Sequence, residues 1–105
     1  MFGIVPGSRY GWPKNILHWA GMHESILDVC ATVRPQFVIS DAVIAMEGDG
    51  LLNGTESRLN KLVFSDDPVA ADAICARALG VIPEQIAYIR EASLFLGRTD
   101  DYEFL

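Results

Sequence analysis

The feature that most constrains the fold is the junction Asp66-Asp67-Pro68 together with the small, apolar segment that follows it. A carboxylate just before a helix accepts hydrogen bonds from free backbone N–H groups, and proline fits the first helical position without losing a bond. The sequence therefore predicts a helix from Pro68 to Leu79, ended by Gly80. Asp72 and Arg77 are its only polar side chains after the start, so we expect it to be buried on most sides.

Asp72 is the residue of this helix that most needs an explanation. Arg77 lies five residues further on, which is a poor helical spacing for an ion pair, so Asp72 requires a partner from elsewhere in the fold. A carboxylate on a largely buried helix is either a functional-site candidate or a structural hydrogen-bond hub, and the sequence leaves both open. In the first case Asp72 is a candidate catalytic residue.

Other segments predict a small α/β domain that spans residues 1–105. Apolar residues recur at helical spacing over 22–33, and Pro35 disfavours a helical Arg34, so a helix should run from Met22 to Val33. Short apolar runs predict strands at 2–5, 37–41 and 61–65. Because a strand, a helix and a strand in succession form a right-handed parallel unit, we expect a small mixed, mainly parallel sheet with flanking helices.

The stretch 41–55 combines carboxylates, glycines, an amide and a hydroxyl, which is typical of a binding loop. In a parallel sheet this loop would follow the carboxyl end of a strand, where ligands collect, and its oxygen atoms would suit a divalent cation such as Mg²⁺. The alternative is a surface loop whose glycines serve only turn geometry. The candidates are Asp41, Glu47 and Asp49 for catalysis, Asp41, Asp49 and Asp67 for the metal, and Asn53 and Thr55 for substrate binding.

A second candidate region, residues 6–21, is rich in cations and aromatics and lacks periodicity, as binding loops often do. On the functional interpretation Arg9 and Lys14 bind an anionic group of a substrate, and His23, in the first turn of the next helix, also contacts it. The alternative is that the two cations are solvated and His23 is a hydrogen-bonded structural residue.

Composition limits the classes of partner. Fourteen acidic and eight basic residues give a net charge of −6, which opposes nucleic-acid binding. Half of the residues are hydrophobic and the mean hydropathy is +0.24, so we expect apolar surface to be covered by a second copy or by a complementing chain. Cys30 and Cys75 are far apart and indicate reduced core residues, and no leader or membrane-spanning run is evident, which favours the cytoplasm.

Several motifs together resemble the domain-of-unknown-function family catalogued as number 362. They are Phe2-Gly-Ile-Val-Pro-Gly7, Arg9, Lys14, His23-Glu24, Arg34-Pro35, Asp41 with Met46-Glu-Gly-Asp-Gly50, Asn53-Gly-Thr55 and Asp67-Pro-Val-Ala-Ala-Asp72. The resemblance implies an α/β domain that shares the glycine-rich acidic loop. It covers the C-terminal portion of the family domain, so we expect an incomplete domain that is completed by association.

Members of that family are often described as iron–sulfur-centre proteins, because many join the domain to a ferredoxin-like module. The resemblance therefore implies an iron–sulfur protein as a partner, whereas no cluster is expected in this chain, which lacks the clustered cysteines. Two hypotheses of function follow. The chain is the metal- and anion-binding part of an enzyme that acts on a small anionic molecule, or it is a non-catalytic docking or scaffold domain for an iron–sulfur protein.

Overall fold

The fold is described by a computed structural model for residues 1–11, 15–49 and 53–104. These ranges contain a two-stranded sheet with flanking helices, and the helix Pro68–Ala78 packs against both strands. None of the helices in them is long and apolar enough to cross a bilayer. The elements are a 3-10 turn at Phe2–Ile4, α1 (Gly7–Tyr10), α2 (Asn15–Ala20), α3 (Met22–Val33), β1 (Val38–Asp49), β2 (Gly54–Ser65), α4 (Pro68–Ala78), a 3-10 turn at Pro83–Gln85, and α5 (Ala87–Ala92).

The two long helices form where the sequence predicts them. Asp67 caps α4, and its carboxylate accepts hydrogen bonds from the backbone N–H of Val69 at 2.8 Å and of Ala70 at 3.1 Å. Helix α3 ends at Arg34, which adopts a left-handed conformation with φ 49° before Pro35. Both predictions are confirmed.

The core lies where α3, α4 and α5 meet. Ala73 is fully buried and Ile89 is 1% exposed, and the small side chains of α4 let its neighbours approach closely. The cluster consists of Leu27, Val69, Ala73, Ala76, Ile89 and Ala92.

The predicted mainly parallel sheet is wrong. Phe2–Ile4 forms a 3-10 turn rather than a strand, and β1 pairs with β2 antiparallel, from Val38 opposite Ser65 to Gly48 opposite Gly54. A short apolar run such as 2–5 does not distinguish a strand from a turn of helix by its pattern. With that strand absent there is no parallel unit, and the sequence-adjacent strands pair as an antiparallel ribbon.

The helices cover only one face of this ribbon. Helix α4 contacts both strands, on the side where Ala42 is buried. On the opposite face Ile39 lies directly across from Phe64, and these side chains are 66% and 60% exposed. Leu62 shares that face at 55% exposed, and Phe37, which precedes the strand, is 60% exposed. The ribbon therefore presents a largely apolar face that the described residues leave uncovered.

Candidate functional site

Asp72 on α4 and Tyr88 on α5 line the same groove, and each side chain shifts the pKa of the other; we call them the Asp72–Tyr88 pair. Burial raises the pKa of Asp72 above its ordinary value, while the hydrogen bond from Tyr88 and the amino group of Met1 oppose that rise. Burial and the neighbouring Asp72 carboxylate raise the pKa of the Tyr88 phenol. At neutral pH the phenol therefore keeps its proton, and its O–H group can donate a hydrogen bond to the carboxylate.

The pair borders an open groove between α3, α4, α5 and the start of β1. This groove, which we call the Asp72 groove, has a volume of about 480 Å³. Cys30 also lines it, and burial, followed by the charge of Asp72, raises the pKa of its thiol. The walls are otherwise mainly apolar and include Leu27, Phe37, Ile39, Val69, Ile89 and Leu96.

His23 reaches the same region from the first turn of α3. Its ring stacks on Tyr88 with the centroids 5.8 Å apart and an angle of 24° between the ring planes. The structure therefore brings two of the predicted site residues, Asp72 and His23, next to one tyrosine. The sequence predicts that Asp72 has a partner from elsewhere in the fold, and in the structure that neighbour is Tyr88.

The three predicted metal ligands are not brought together. Asp67 lies just after β2, near the start of β1, whereas Asp49 is the last residue of the twelve-residue strand β1. The Asp41 carboxylate accepts a hydrogen bond from the backbone N–H of Val43 at 3.0 Å, and Asp67 caps α4. Among the residues that the structure describes, no three His, Cys, Asp or Glu side chains are grouped to hold a metal ion. Magnesium binding stays a prediction, which titration calorimetry with Mg²⁺ can test.

The remaining predicted residues lie elsewhere. Glu47, opposite Thr55, and Asp49, bridged to Asn53, lie together and exposed at the end of the ribbon away from the Asp72 groove. The region that the glycines indicated as a loop is therefore in part strand. Arg9 is exposed at the end of α1, and Lys14 lies outside the described residues.

Tyr88 is the site residue that the sequence reasoning missed. It lies in α5, beside the buried Ile89. A buried tyrosine usually finds a hydrogen-bond partner for its hydroxyl group. Tyr88 could therefore have been considered as a partner of Asp72, but no local pattern in the sequence connects the two residues.

A sequence model of a family described as a domain of unknown function, DUF362, matches residues 1–77. The chain belongs to the DUF362 family. No curated protein and no solved structure matches it. In this DUF362 chain the matched range includes α3, the ribbon and Asp72, whereas Tyr88 lies in the segment that follows. The Asp72–Tyr88 pair therefore links the family-matched range to the rest of the chain.

Proposed function

We propose that this DUF362 chain acts as an association domain in which a second copy of the chain covers the apolar face of the ribbon. That face, the ribbon face, consists of Phe37, Ile39, Leu62 and Phe64. The observation that carries the proposal is the exposure of these four large apolar side chains, 55% to 66%: Ile39, Leu62 and Phe64 lie on one sheet face, and Phe37 directly precedes β1. Contiguous apolar patches of this kind mark interaction sites.

The size of the ribbon face supports an interface that extends beyond it. Large apolar side chains have roughly 150–250 Å² of surface each, so four that are a little over half exposed offer roughly 400 Å². A standard interface buries about 800 Å² per partner. The same strands carry three more exposed apolar side chains that can supply part of the difference, Val43, Ile44 and Met46.

A second copy fits the ribbon face because an isologous dimer sets the same patch against itself. Ile39 and Phe64 at its centre are uncharged and can pack against the same residues of a second copy. Among the register partners of the ribbon-face residues, only Asp41, which lies opposite Leu62, is charged. Each copy carries a net charge of −6, so repulsion opposes the dimer and is screened by salt. The dissociation constant of the dimer should therefore fall as ionic strength rises.

The iron–sulfur partner that the family resemblance implies is a competing occupant of the same face. A ferredoxin-like protein or another complementing chain would also cover apolar side chains, but it would leave the isolated chain monomeric. The metal-dependent enzyme hypothesis has less support, because Asp41, Asp49 and Asp67 lie apart.

Sedimentation equilibrium of the purified chain at two ionic strengths tests the proposal. We expect a particle of twice 11.5 kDa at micromolar concentration, and tighter association at the higher salt. Phe64→Glu should give a monomer. The matched control is Leu94→Glu, which changes a side chain that is 81% exposed and is not part of the ribbon face, and it should leave the dimer intact. A wild-type monomer at both ionic strengths would overturn the second copy as the occupant.

A further inference from the structure

We propose that the Asp72 groove binds a small apolar molecule that carries a protonated amine. The groove lies between the helices and the start of β1, away from the polar end of the ribbon. Phe37 and Ile39 belong both to the groove walls and to the ribbon face, so ligand binding is measured in the monomeric Phe64→Glu variant as well as in the wild-type chain.

The walls select the body of the ligand. Leu27, Val69, Ile89 and Leu96 present apolar surface on the helical side, and Phe37 and Ile39 do so on the strand side. A volume of about 480 Å³ lies in the range of small-molecule pockets, which are mostly apolar with a few polar groups that fix orientation. A compact aromatic or aliphatic group is therefore the part of a ligand that this surface favours.

The charge of Asp72 selects the head group. No Lys, Arg or His is among the described residues that line the groove, and the ion pairs of Arg58, Arg77 and Arg98 involve other carboxylates. The positive charge that acts on Asp72 is the amino group of Met1, whose effect is smaller than that of burial. A partly desolvated carboxylate with so little compensation gains from a cation brought to it.

Tyr88 and the net charge of the chain also favour a cationic head group over a neutral or anionic one. The Tyr88 hydroxyl lines the groove beside Asp72 as a potential donor, and a carboxylate has enough lone pairs to accept from a second donor as well. His23 stacks on the Tyr88 ring and supports its orientation. An anionic head group would be repelled by Asp72 and by the net charge of −6. A neutral alcohol would gain only an uncharged donor's hydrogen bond.

Three probes with the same aromatic body and different head groups test the proposal: 2-phenylethylamine, 2-phenylethanol and 3-phenylpropanoate. Each is titrated into ¹⁵N-labelled full chain at neutral pH, and binding is followed by amide chemical shifts of residues that line the groove. We expect the amine to bind at least about tenfold more tightly than the alcohol, and the anion to bind most weakly. Equal binding of the amine and the alcohol, or no shifts with the amine, would overturn the proposal.

Two variants assign the effect to the carboxylate. Asp72→Asn keeps the shape and should weaken the amine about tenfold while leaving the alcohol unchanged. Tyr88→Phe removes the phenol, and we expect a smaller loss that is again specific to the amine. A loss shared equally by the amine and the alcohol in both variants would indicate altered walls and would count against the proposal.

A pH titration of the wild-type chain gives a readout that needs no variant. The affinity for the amine should fall as acid protonates Asp72, whereas the affinity for the alcohol should stay constant. The other titratable groups near Asp72 are Tyr88, His23, Cys30 and the amino group of Met1. Constant amine affinity down to a pH that protonates ordinary carboxyls would contradict it. The same titrations on Phe64→Glu, whose side chain does not line the groove, separate ligand binding from association.

Discussion

The layer of α3, α4 and α5 and the ribbon of β1 and β2 are both rich in apolar residues, but they differ in what covers them. In the helical layer Ala73 and Ile89 are almost completely buried, whereas in the ribbon Ile39 and Phe64 are 66% and 60% exposed. Three helices can surround a common core, but a two-stranded ribbon has two faces and α4 covers one. Apolar patterning alone therefore does not show whether a surface is covered by the rest of the chain or by another molecule.

The largest expected effect is in the helical layer. Ile89→Ala removes a side chain that is 1% exposed and should lower the free energy of unfolding by about 3 kcal/mol, through lost burial and a residual cavity. Ile39→Ala, at 66% exposed, should cost well under 1 kcal/mol when urea unfolding is measured at a concentration that keeps the chain monomeric. Similar losses of unfolding free energy for the two variants would contradict this difference between the two regions, because they would mean that the ribbon face is buried in the monomer.

Next in size is the cap that joins the ribbon to the helical layer. Asp67 follows β2, caps α4, and accepts a hydrogen bond from the backbone N–H of Arg98 at 2.8 Å. Asp67→Ala should lower the free energy of unfolding by about 2 kcal/mol, since both the cap and the bond to Arg98 are lost. Asp67→Asn keeps the oxygen that caps α4 but places an amide NH2 group against the backbone N–H of Arg98, so it should retain only the part of the stability that comes from the cap. Thermal unfolding of the pair gives the measurement, and equal melting temperatures for the two variants would contradict the capping role.

A smaller effect is expected at Gly97, where the chain passes close to the same carboxylate. A Cβ placed there would overlap the Asp67 carboxylate, whose position is held by the hydrogen bonds that it accepts from the backbone N–H groups of Val69, Ala70 and Arg98. Gly97→Ala should therefore lower the free energy of unfolding by about 1–2 kcal/mol, as overpacking does. The control is Gly7→Ala, because a Cβ at Gly7 meets nothing within 4 Å. A loss at Gly7 as large as that at Gly97 would show that the contact with Asp67 is not the cause.

The same contrast explains how far the sequence could be interpreted. The two long helices were predictable because their signals are local: Asp67-Pro68 begins α4, and Pro35 follows the end of α3. The direction of the strands in the sheet was not predictable, because it depends on which segments pair. The short apolar run at 2–5 also suited a strand as well as the 3-10 turn that Phe2–Ile4 forms. The metal hypothesis depended on that direction. In the antiparallel ribbon Asp49 and Asp67 fall at opposite ends of β1.

The Asp72–Tyr88 pair was half predictable, for the same reason. A single carboxylate on an otherwise apolar helix needs a hydrogen-bond or charged partner when it is buried, so Asp72 could be identified from the sequence as a residue that requires one. Which side chain supplies the hydrogen bond is decided by the packing of α5 against α4, which no local pattern specifies.

The smallest effect expected, and the most specific, is the pH dependence that Asp72 adds to folding. Its folded pKa lies above its unfolded value, so the folded state holds more protons between those two values and stability from this group falls as pH rises through them. Asp72→Asn removes that penalty while its side-chain oxygen can still accept from Tyr88. The free energy of unfolding of the variant minus that of the wild type, from urea unfolding, should therefore increase as pH rises through the unfolded and then the folded pKa of Asp72, and stay constant at higher pH. Because both proteins share every other carboxylate, the difference isolates Asp72. A difference that decreases with rising pH would mean that hydrogen bonding outweighs burial, and the Asp72 groove would then be better hydrated than its apolar walls imply.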